Sequence, residues 1–492
     1  MALSIGLDVA RSSLAATAEQ MAVISRNVGR TGDADATRKS AAVVTGPGSS
    51  VRVARIDRSY DALLLSKVLT SSAEAQSHIA ISQALDQLNA TVGDTDVERS
   101  PAALIGKLSA ALQRYSASPS NASVALSAVY AAKDVANSLN AASATVMRVR
   151  VEADADIAAS VDRVNVLLSK FESVNKDVVS GTRSGRDVTD ALDARDGILK
   201  ELSSNIGIRT VARADGDLAI YTDSNVTMFD TVARAVTFAP SGFLASGLPG
   251  ASVYVDGVPV VGTPQIMAIS TGRIAGLVAV RDELVPRFEA QLDEIARGLI
   301  EAFAERDQSA TPTLPAAAGL FTYPGGPAVP ATGSIVAGLA SQIRLNPNVD
   351  PTQGGLATRL RDGGISNPGN PSYLYNATGE AAYDNRIQDL IDQVAATRSY
   401  DPRADAETSG SLVNFASSSV SWLQTLRQSS NDESEHRTAV ADRAAAALSK
   451  DTGISLDEEM AKMLELERSY QASSRLITAI DGMLEALIGS VR

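Results

Sequence analysis

Apolar positions recur in alternating steps of three and four at both ends of the chain. Near the start, Leu3, Leu7, Ala10, Leu14, Thr17, Met21, Ile24 and Val28 make almost four heptads of a coiled-coil seam. At the far end, Gly453 precedes Ser455, a suitable N-cap, and Asp457, Glu458 and Glu459 supply an acidic first turn. The seam there runs Met463, Leu466, Tyr470, Ser473, Ile477, Ile480, Leu484, Leu487 and Val491. A narrow stripe of this kind is marginal in water on its own, so each helix needs a partner. One such stripe is as readily the core-facing side of a bundle helix. Stripes at both ends suggest that the ends meet each other, with the inner domains strung between them.

The interior changes period twice. Ile56–Val92 and Pro101–Tyr115 predict helices, and a long helix is expected from about Ser123 to Ser180. Its seam reads Val135, Leu139, Ala142, Val146, Val149, Ile157, Val161, Val164, Leu168, Phe171 and Val178, with a break or bend expected near Asp154–Asp156. A turn at Gly181–Gly185 leads to a helix over Asp187–Ser204, with Asp196 set four residues before Lys200 as a supporting pair. From Ile208 to Ile269 short alternating runs replace the helical period, punctuated by Asp215-Gly216 and Asp256-Gly257, the latter a two-residue hairpin signal. Helix resumes over Gly272–Arg306, Asp384–Arg398 and Ser411–Lys450, while Asp307–Asp384 is rich in Gly, Pro, Ala and Asn and reads as mostly irregular. Proline is absent up to Gly46, between Pro119 and Pro240, and after Pro402, which are the stretches of strongest helical period.

The expected fold is therefore mainly α with an inserted β domain, an α+β arrangement in which the N- and C-terminal helices pair as a coiled coil. Residues 1–46 with 451–492 form the terminal domain. Residues 47–207 with 271–306 and 385–450 form a helical bundle, 208–270 a small β insertion, and 307–384 an irregular insertion.

Composition narrows what such a molecule does. At 492 residues the chain exceeds one ordinary core. Hydrophobic residues make up 45% but aromatics only 4%, with Trp422 the single tryptophan, so close-packed Ala- and Ser-rich helices are favoured over a wide core. A formal charge of −13 argues against nucleic acid or an anionic membrane as principal partner, since both demand a basic face. Cysteine is absent, which excludes disulfides and thiolate chemistry. Met1–Gly6, followed by Asp8 and Arg11, lacks the layout of a cleaved secretory signal.

Candidate chemistry is sparse. Gly106-Lys107 lacks the surroundings of a phosphate loop, and no dinucleotide fingerprint or nucleophile elbow occurs. Asp187, Asp190, Asp193 and Asp196 are the nearest approach to a carboxylate cluster, but their spacing places them on one helical face beside Arg195 and Lys200, the pattern of a solvated surface. His78 and His436 fit polar helix faces, Asp215-Gly216-Asp217 fits a turn, and Trp422 with Leu412, Val413, Phe415 and Leu426 fits the core of a helix pair. No catalytic, cofactor or metal residue is assigned.

The segment Ser455–Leu484, centred on Tyr470-Gln471-Ala472-Ser473, resembles the C-terminal signature shared by rod, hook and hook-associated axial proteins of the bacterial flagellum. Asp193-Ala-Arg-Asp-Gly-Ile-Leu-Lys-Glu-Leu-Ser203 and Gly272-Arg-Ile-Ala-Gly-Leu-Val-Ala-Val-Arg-Asp-Glu-Leu284 resemble two interior segments of one branch, the first hook-associated, or hook–filament junction, proteins. After the first helix, Ser25 and Asn27 keep the superfamily pattern, but its Gly-Tyr ending is lost. The resemblance implies a non-enzymatic subunit, exported through the flagellar secretion channel to the extracellular junction of hook and filament. It implies terminal helices that order on assembly, with the assembly interface at Leu3, Leu7, Leu14, Met21, Ile24, Val28, Met463, Leu466, Tyr470, Ile477, Ile480, Leu484 and Leu487. Expected partners are copies of itself, the hook protein, the second hook-associated junction protein, and an export chaperone on the C-terminal helix. No cofactor is implied. The rival readings are another axial protein, a cytoplasmic coiled-coil signalling protein, and a secreted enzyme on a helical stalk.

Overall fold

The computed structural model describes residues 2–92, 100–262 and 266–490. Its spine is a helix of 63 residues, α4 in chain order, and the elements fall around it. Helix α1 (Ala2–Gly29) leads into a hairpin of β1 (Lys39–Thr45) and β2 (Val51–Arg58). Then come α2 (Ala62–Val92), α3 (Pro101–Ser116), α4 (Ala122–Ser184) and α5 (Thr189–Asn205).

Helix α4 shows why so long an element holds. Asn121 Oδ1 accepts from the backbone N–H of Ser123 and Val124 at its start, and Gly185 closes it in the left-handed region at φ 71°. Every seam position expected from the sequence is buried. The expected break at Asp154–Asp156 is absent, because both charges are matched from a distant part of the chain. Asp154, buried, takes Arg281 Nη1 at 2.6 Å, and Asp156 takes Arg273. A core-facing carboxylate with a guanidinium partner does not interrupt a helix.

The β insertion contains two small antiparallel sheets. One has four strands, β3 (Ile208–Ala212), β4 (Leu218–Thr222), β5 (Thr227–Asp230) and β6 (Val232–Ala233). The other has three, β7 (Val236–Thr237), β8 (Tyr254–Val255) and β9 (Val258–Pro259). Asp256-Gly257, both at positive φ, turns β8 into β9 as expected. Phe229 meets Phe171 of α4 edge to face at 4.9 Å, joining this insertion to the spine.

Helix returns as α6 (Arg273–Ala279), a π turn over Val280–Leu284, and α7 (Val285–Ala302). Two glycines fix α6 in place. A Cβ on Gly276 would lie 2.3 Å from Ser77 O of α2, and one on Gly272, at φ 92°, would lie 2.6 Å from Ile206 Cα. The 307–384 stretch carries only short elements, among them α8 (Leu339–Gln342) and α9 (Arg359–Asp362). It is nevertheless packed: Leu320, Phe321, Ile343, Leu345, Val349, Leu360 and Ile365 enter the main core. After α10 (Asn385–Ala395), α11 (Leu412–Thr452) runs back along α2, joined by Glu74–Arg437, Ser82–Asn431 and Asp86–Arg427 contacts. Trp422 stacks on Phe288 of α7, so it belongs to a helix interface. The chain ends in α12 (Leu456–Ser490), which lies against α1.

One element differs from expectation: Ile56–Arg58 is strand, not helix, because β2 pairs with β1 across the Gly46-Pro47 turn.

Candidate assembly interface

Helices α1 and α12 pack antiparallel. A Cβ on Gly6 would sit 3.6 Å from Ile480 Cδ1, Ser13 Oγ lies 3.4 Å from Ser473 Oγ, and Asn27 Nδ2 donates to Glu459 Oε2 at 2.9 Å. From Gly6 to Asn27 the numbering rises by 21 while from Ile480 to Glu459 it falls by 21, so the two seams keep step over three heptads.

The structure places the interface residues as follows. Ile24 and Ile480 are buried, at 7% and 5% exposed. Leu7, Leu14, Met21, Val28, Met463, Leu466, Ile477 and Leu484 are half-buried along the same groove. Tyr470 and Leu487 remain exposed. Leu3 lies in α1, but its side chain, like Val491, falls outside the described residues. One helix against one helix thus covers only part of each seam. The other face of α1 rests on the β1–β2 hairpin, whereas α12 keeps apolar side chains exposed on several of its faces: Leu456, Met460, Leu464, Leu476, Met483 and Ile488. These residues escaped the sequence reading, although Met460–Leu464 and Leu476–Met483 repeat at helical spacing and were the available signal.

At the base of the pair a polar cluster replaces the apolar seam. Asn27, buried, exchanges bonds with the Lys39 backbone, donating to its carbonyl and accepting from its N–H, and also donates to Glu459. Arg38 Nε donates to Glu459 Oε1 at 2.7 Å and pairs with Glu458. The acidic end of α12 is therefore held by the segment between α1 and β1.

The aspartates of α5 correct an expectation. Asp187 and Asp190 stay exposed, as expected of a solvated face, but Asp193 and Asp196 are buried. Asp193 is fully buried and meets Arg30 at 3.2 Å, Lys39 at 3.3 Å and Arg58 at 3.3 Å, while Thr37 donates to it through N–H and hydroxyl. Asp196 accepts from Arg58 at 2.8 Å, Asp187 from Arg26 at 3.0 Å, and Asp190 from Arg30 at 2.8 Å and from Lys39. Lys200 pairs with Asp35, not with Asp196. Arg195 points the other way, donating to Asn175 of α4 and Gly216 O in the β3–β4 turn. Burial pushes the Asp196 carboxyl above its ordinary range despite Arg58, and pushes the Lys39 ammonium below its own despite Asp193. These charges are held by geometry at a desolvation cost, the mark of a structural joint.

Other polar candidates stay apart. His78 is half-buried on α2 and His436 exposed on α11. Among the described residues, no group of three or more His, Asp or Glu side chains is placed to hold a metal ion, and no helix is long and apolar enough to cross a membrane.

Known proteins give this arrangement its context. Residues 85–313 match the family described as the flagellar hook-associated protein FlgK helical domain, and residues 450–489 match the flagellar basal body rod FlgEFG protein C-terminal family. The flagellar hook-associated protein 1 of Bacillus subtilis is 21% identical, with 99% of this chain and 98% of the relative aligned. Its counterpart in Escherichia coli is 26% identical over 30% of this chain and 27% of its own length. The flagellar hook junction protein FlgK of Burkholderia pseudomallei superposes with a TM-score of 0.41 at 18% identity, covering 52% of this chain and 46% of that one. The helical-domain match spans α5 and α6, the C-terminal match spans most of α12, and the Bacillus relative aligns from end to end, so this chain carries the flagellar hook-associated protein FlgK helical domain and is similar along its whole length to flagellar hook-associated protein 1.

Proposed function

We propose that this chain is a structural subunit of the junction between hook and filament, with no catalytic role. The observation that carries the reading is the state of α12. Its seam is half covered by α1, and Leu456, Met460, Leu464, Leu476, Met483 and Ile488 stand exposed on its remaining faces. An apolar surface of that extent on a chain with these relatives calls for further protein to cover it. Neighbouring copies of the chain are the partners that fit, with residues 1–46 and 451–492 as an inner layer and the helical body, 208–270 and 307–384 outside it. The hook protein below and the second hook-associated junction protein above complete the stack. The Met463–Leu487 stripe is also the surface an export chaperone would grip before the chain passes through the secretion channel to the flagellum.

Deleting the gene in its host tests the role. Cells are expected to retain hooks, lack filaments and release flagellin into the medium. Normal filaments would refute the junction role, and loss of the hooks themselves would move the chain to the hook.

A further inference from the structure

Charge is spread unevenly along this chain. Between Arg234 and Asp256, and again between Asp307 and Arg344, no side chain is charged and no histidine occurs. The fold brings parts of these two stretches together. A Cβ on Gly247 would lie 3.4 Å from Ala337 Cβ, and one on Gly338 would lie 3.2 Å from Ser246 Oγ. On the neutral face so formed, Phe243 is 83% exposed and Leu248 61%, with Val336 exposed beside them. What lies beneath holds this face still. Arg150 of α4, fully buried, donates to Ala245 O at 3.2 Å and to Leu248 O at 2.6 Å, and Arg281, also fully buried, donates to Ala251 O at 2.8 Å. Asp154 accepts from Ser241 N–H and Asp282 from Gly250 N–H, both at 2.8 Å. The backbone from Ser241 to Ala251 is thus pinned to buried charges, so Phe243 is presented on a fixed loop. A large apolar side chain already held in place loses little freedom on docking.

A matching hollow lies across α7. Glu289 and Asp293 of that helix face Arg150 and Gly338, on the side of the neutral loops. Gln291 and Gly298 face the other way, the first accepting from Ser419 of α11 and the second packed close under Leu412. On this second side a groove of about 670 Å³ is lined by Ser417, Ser421, Trp422, Thr425 and Leu426, with Glu407 its one charged side chain. Trp422 is half-buried there, its ring stacked on Phe288. Small side chains around an anchored indole leave room for a second aromatic ring.

The geometry points to a contact between helical bodies in the assembled state: Phe243 and Leu248 of one copy dock in the Trp422 groove of a neighbouring copy. Charge selects a second copy as the occupant. At a formal charge of −13, copies repel one another over most approaches, and two nearly uncharged surfaces are where they meet without that cost. Position sets the kind of contact. Projection and groove lie on different sides of α7, so each copy offers the one to one neighbour and the other to the next. A heterologous contact of that kind repeats into a ring or a helical stack, where a self-complementary one would stop at a dimer. The inference rests on the junction reading and adds to it a contact made by the body, apart from the terminal helices.

The absence of cysteine makes the test direct. Restoration of filaments by the parent gene in a deletion host checks the junction reading by itself. Flagella are then isolated from cells carrying Phe243→Cys together with Ser421→Cys, both exposed positions, and treated with a short bismaleimide. A ladder of crosslinked multimers extending beyond the dimer is expected, and none from either single variant. Monomer alone from the double variant would overturn the contact, as would crosslinking by Phe243→Cys alone or a product joined to a different flagellar protein. Phe243→Asp is expected to lower the amount of this chain retained in isolated flagella about tenfold. Because the side chain is exposed, the urea midpoint of the purified variant should match the parent, which separates lost docking from lost folding. Retention at the parent level would overturn the role of Phe243.

Discussion

Helices α4 and α12 carry the same heptad signal and meet different fates. Along α4 every seam residue is buried against α3, α5, α6, α7 or the β insertion. Along α12, among the described residues, the seam is buried fully only at Ile480, and apolar side chains on its other faces are left bare. Periodicity thus states which face of a helix seeks cover, not how much cover the chain itself supplies. On the proposed function, the shortfall on α12 is the part of the molecule addressed to partners, and the saturation on α4 is what lets the body stand without them.

The comparison breaks most visibly if a charge is placed in each seam. Leu139→Asp in α4 puts an unpaired carboxylate where nothing is exposed, and a loss of about 4 kcal/mol or more is expected, enough to unfold the body. Trp422, the single tryptophan and stacked on Phe288, reports this by fluorescence during urea unfolding. Retention of the parent midpoint would show that α4 is less essential than its burial indicates.

A pH series probes the same body from within. Asp293 on α7 is buried and accepts from Gly338 N–H and Ala340 N–H, pinning the segment around α8. Burial outweighs those two donors, with Glu289 and Glu294 adding repulsion, and the carboxyl is pushed up to about 7. The folded state then holds a proton that the unfolded chain releases near pH 4. Stability from this group is present in full below pH 4 and is lost as the pH rises through about 7, a decline on the order of a few kcal/mol. Asp293→Asn is expected to flatten that part of the stability profile, and an unchanged slope would assign the decline to another group.

Much of the body was legible because its helices are long and their partners saturate one stripe. The α4 seam and the Asp256-Gly257 hairpin follow from local spacing alone. What escaped depends on residues far apart in the chain. Asp154 suggested a break because Arg281, which neutralises it, lies 127 positions away, and Asp193 suggested a wet surface because Arg30 lies 163 positions away. The β1–β2 hairpin had a local signal, Gly46-Pro47 between runs containing Val43 and Val53, which the helical period on either side obscured. At the paired terminal helices the apolar positions of each helix follow from spacing. The antiparallel register does not, since it is set by meetings such as Ser13 with Ser473.

A smaller effect separates close packing from mere proximity within the body. Gly276→Ala forces a methyl to within 2.3 Å of Ser77 O, a backbone atom that cannot rotate aside. The expected cost is about 1–3 kcal/mol in the same fluorescence assay. The glycines of α12, Gly482 and Gly489, have nothing within 4 Å of a Cβ, and alanine there is expected to leave the midpoint unchanged. A neutral Gly276→Ala would mean that α6 and α2 can part without consequence.

The least effect on folding is expected from the change that matters most to assembly. Ile480→Asp removes the best-covered apolar contact between α12 and α1, yet that contact closes against another terminal helix and not against the body core. The body transition read at Trp422 should therefore move by no more than about 0.5 kcal/mol. Limited proteolysis should instead begin earlier, with cuts beyond Lys450 and, as α1 loses its partner, before Gly46. In a deletion host, the variant should fail to restore filaments, because the proposed inner layer needs the seam that the body does not. A body destabilised as strongly as by Leu139→Asp would mean that α12 is part of the folding core after all. The difference drawn between the two helices would then be one of exposure and not of role.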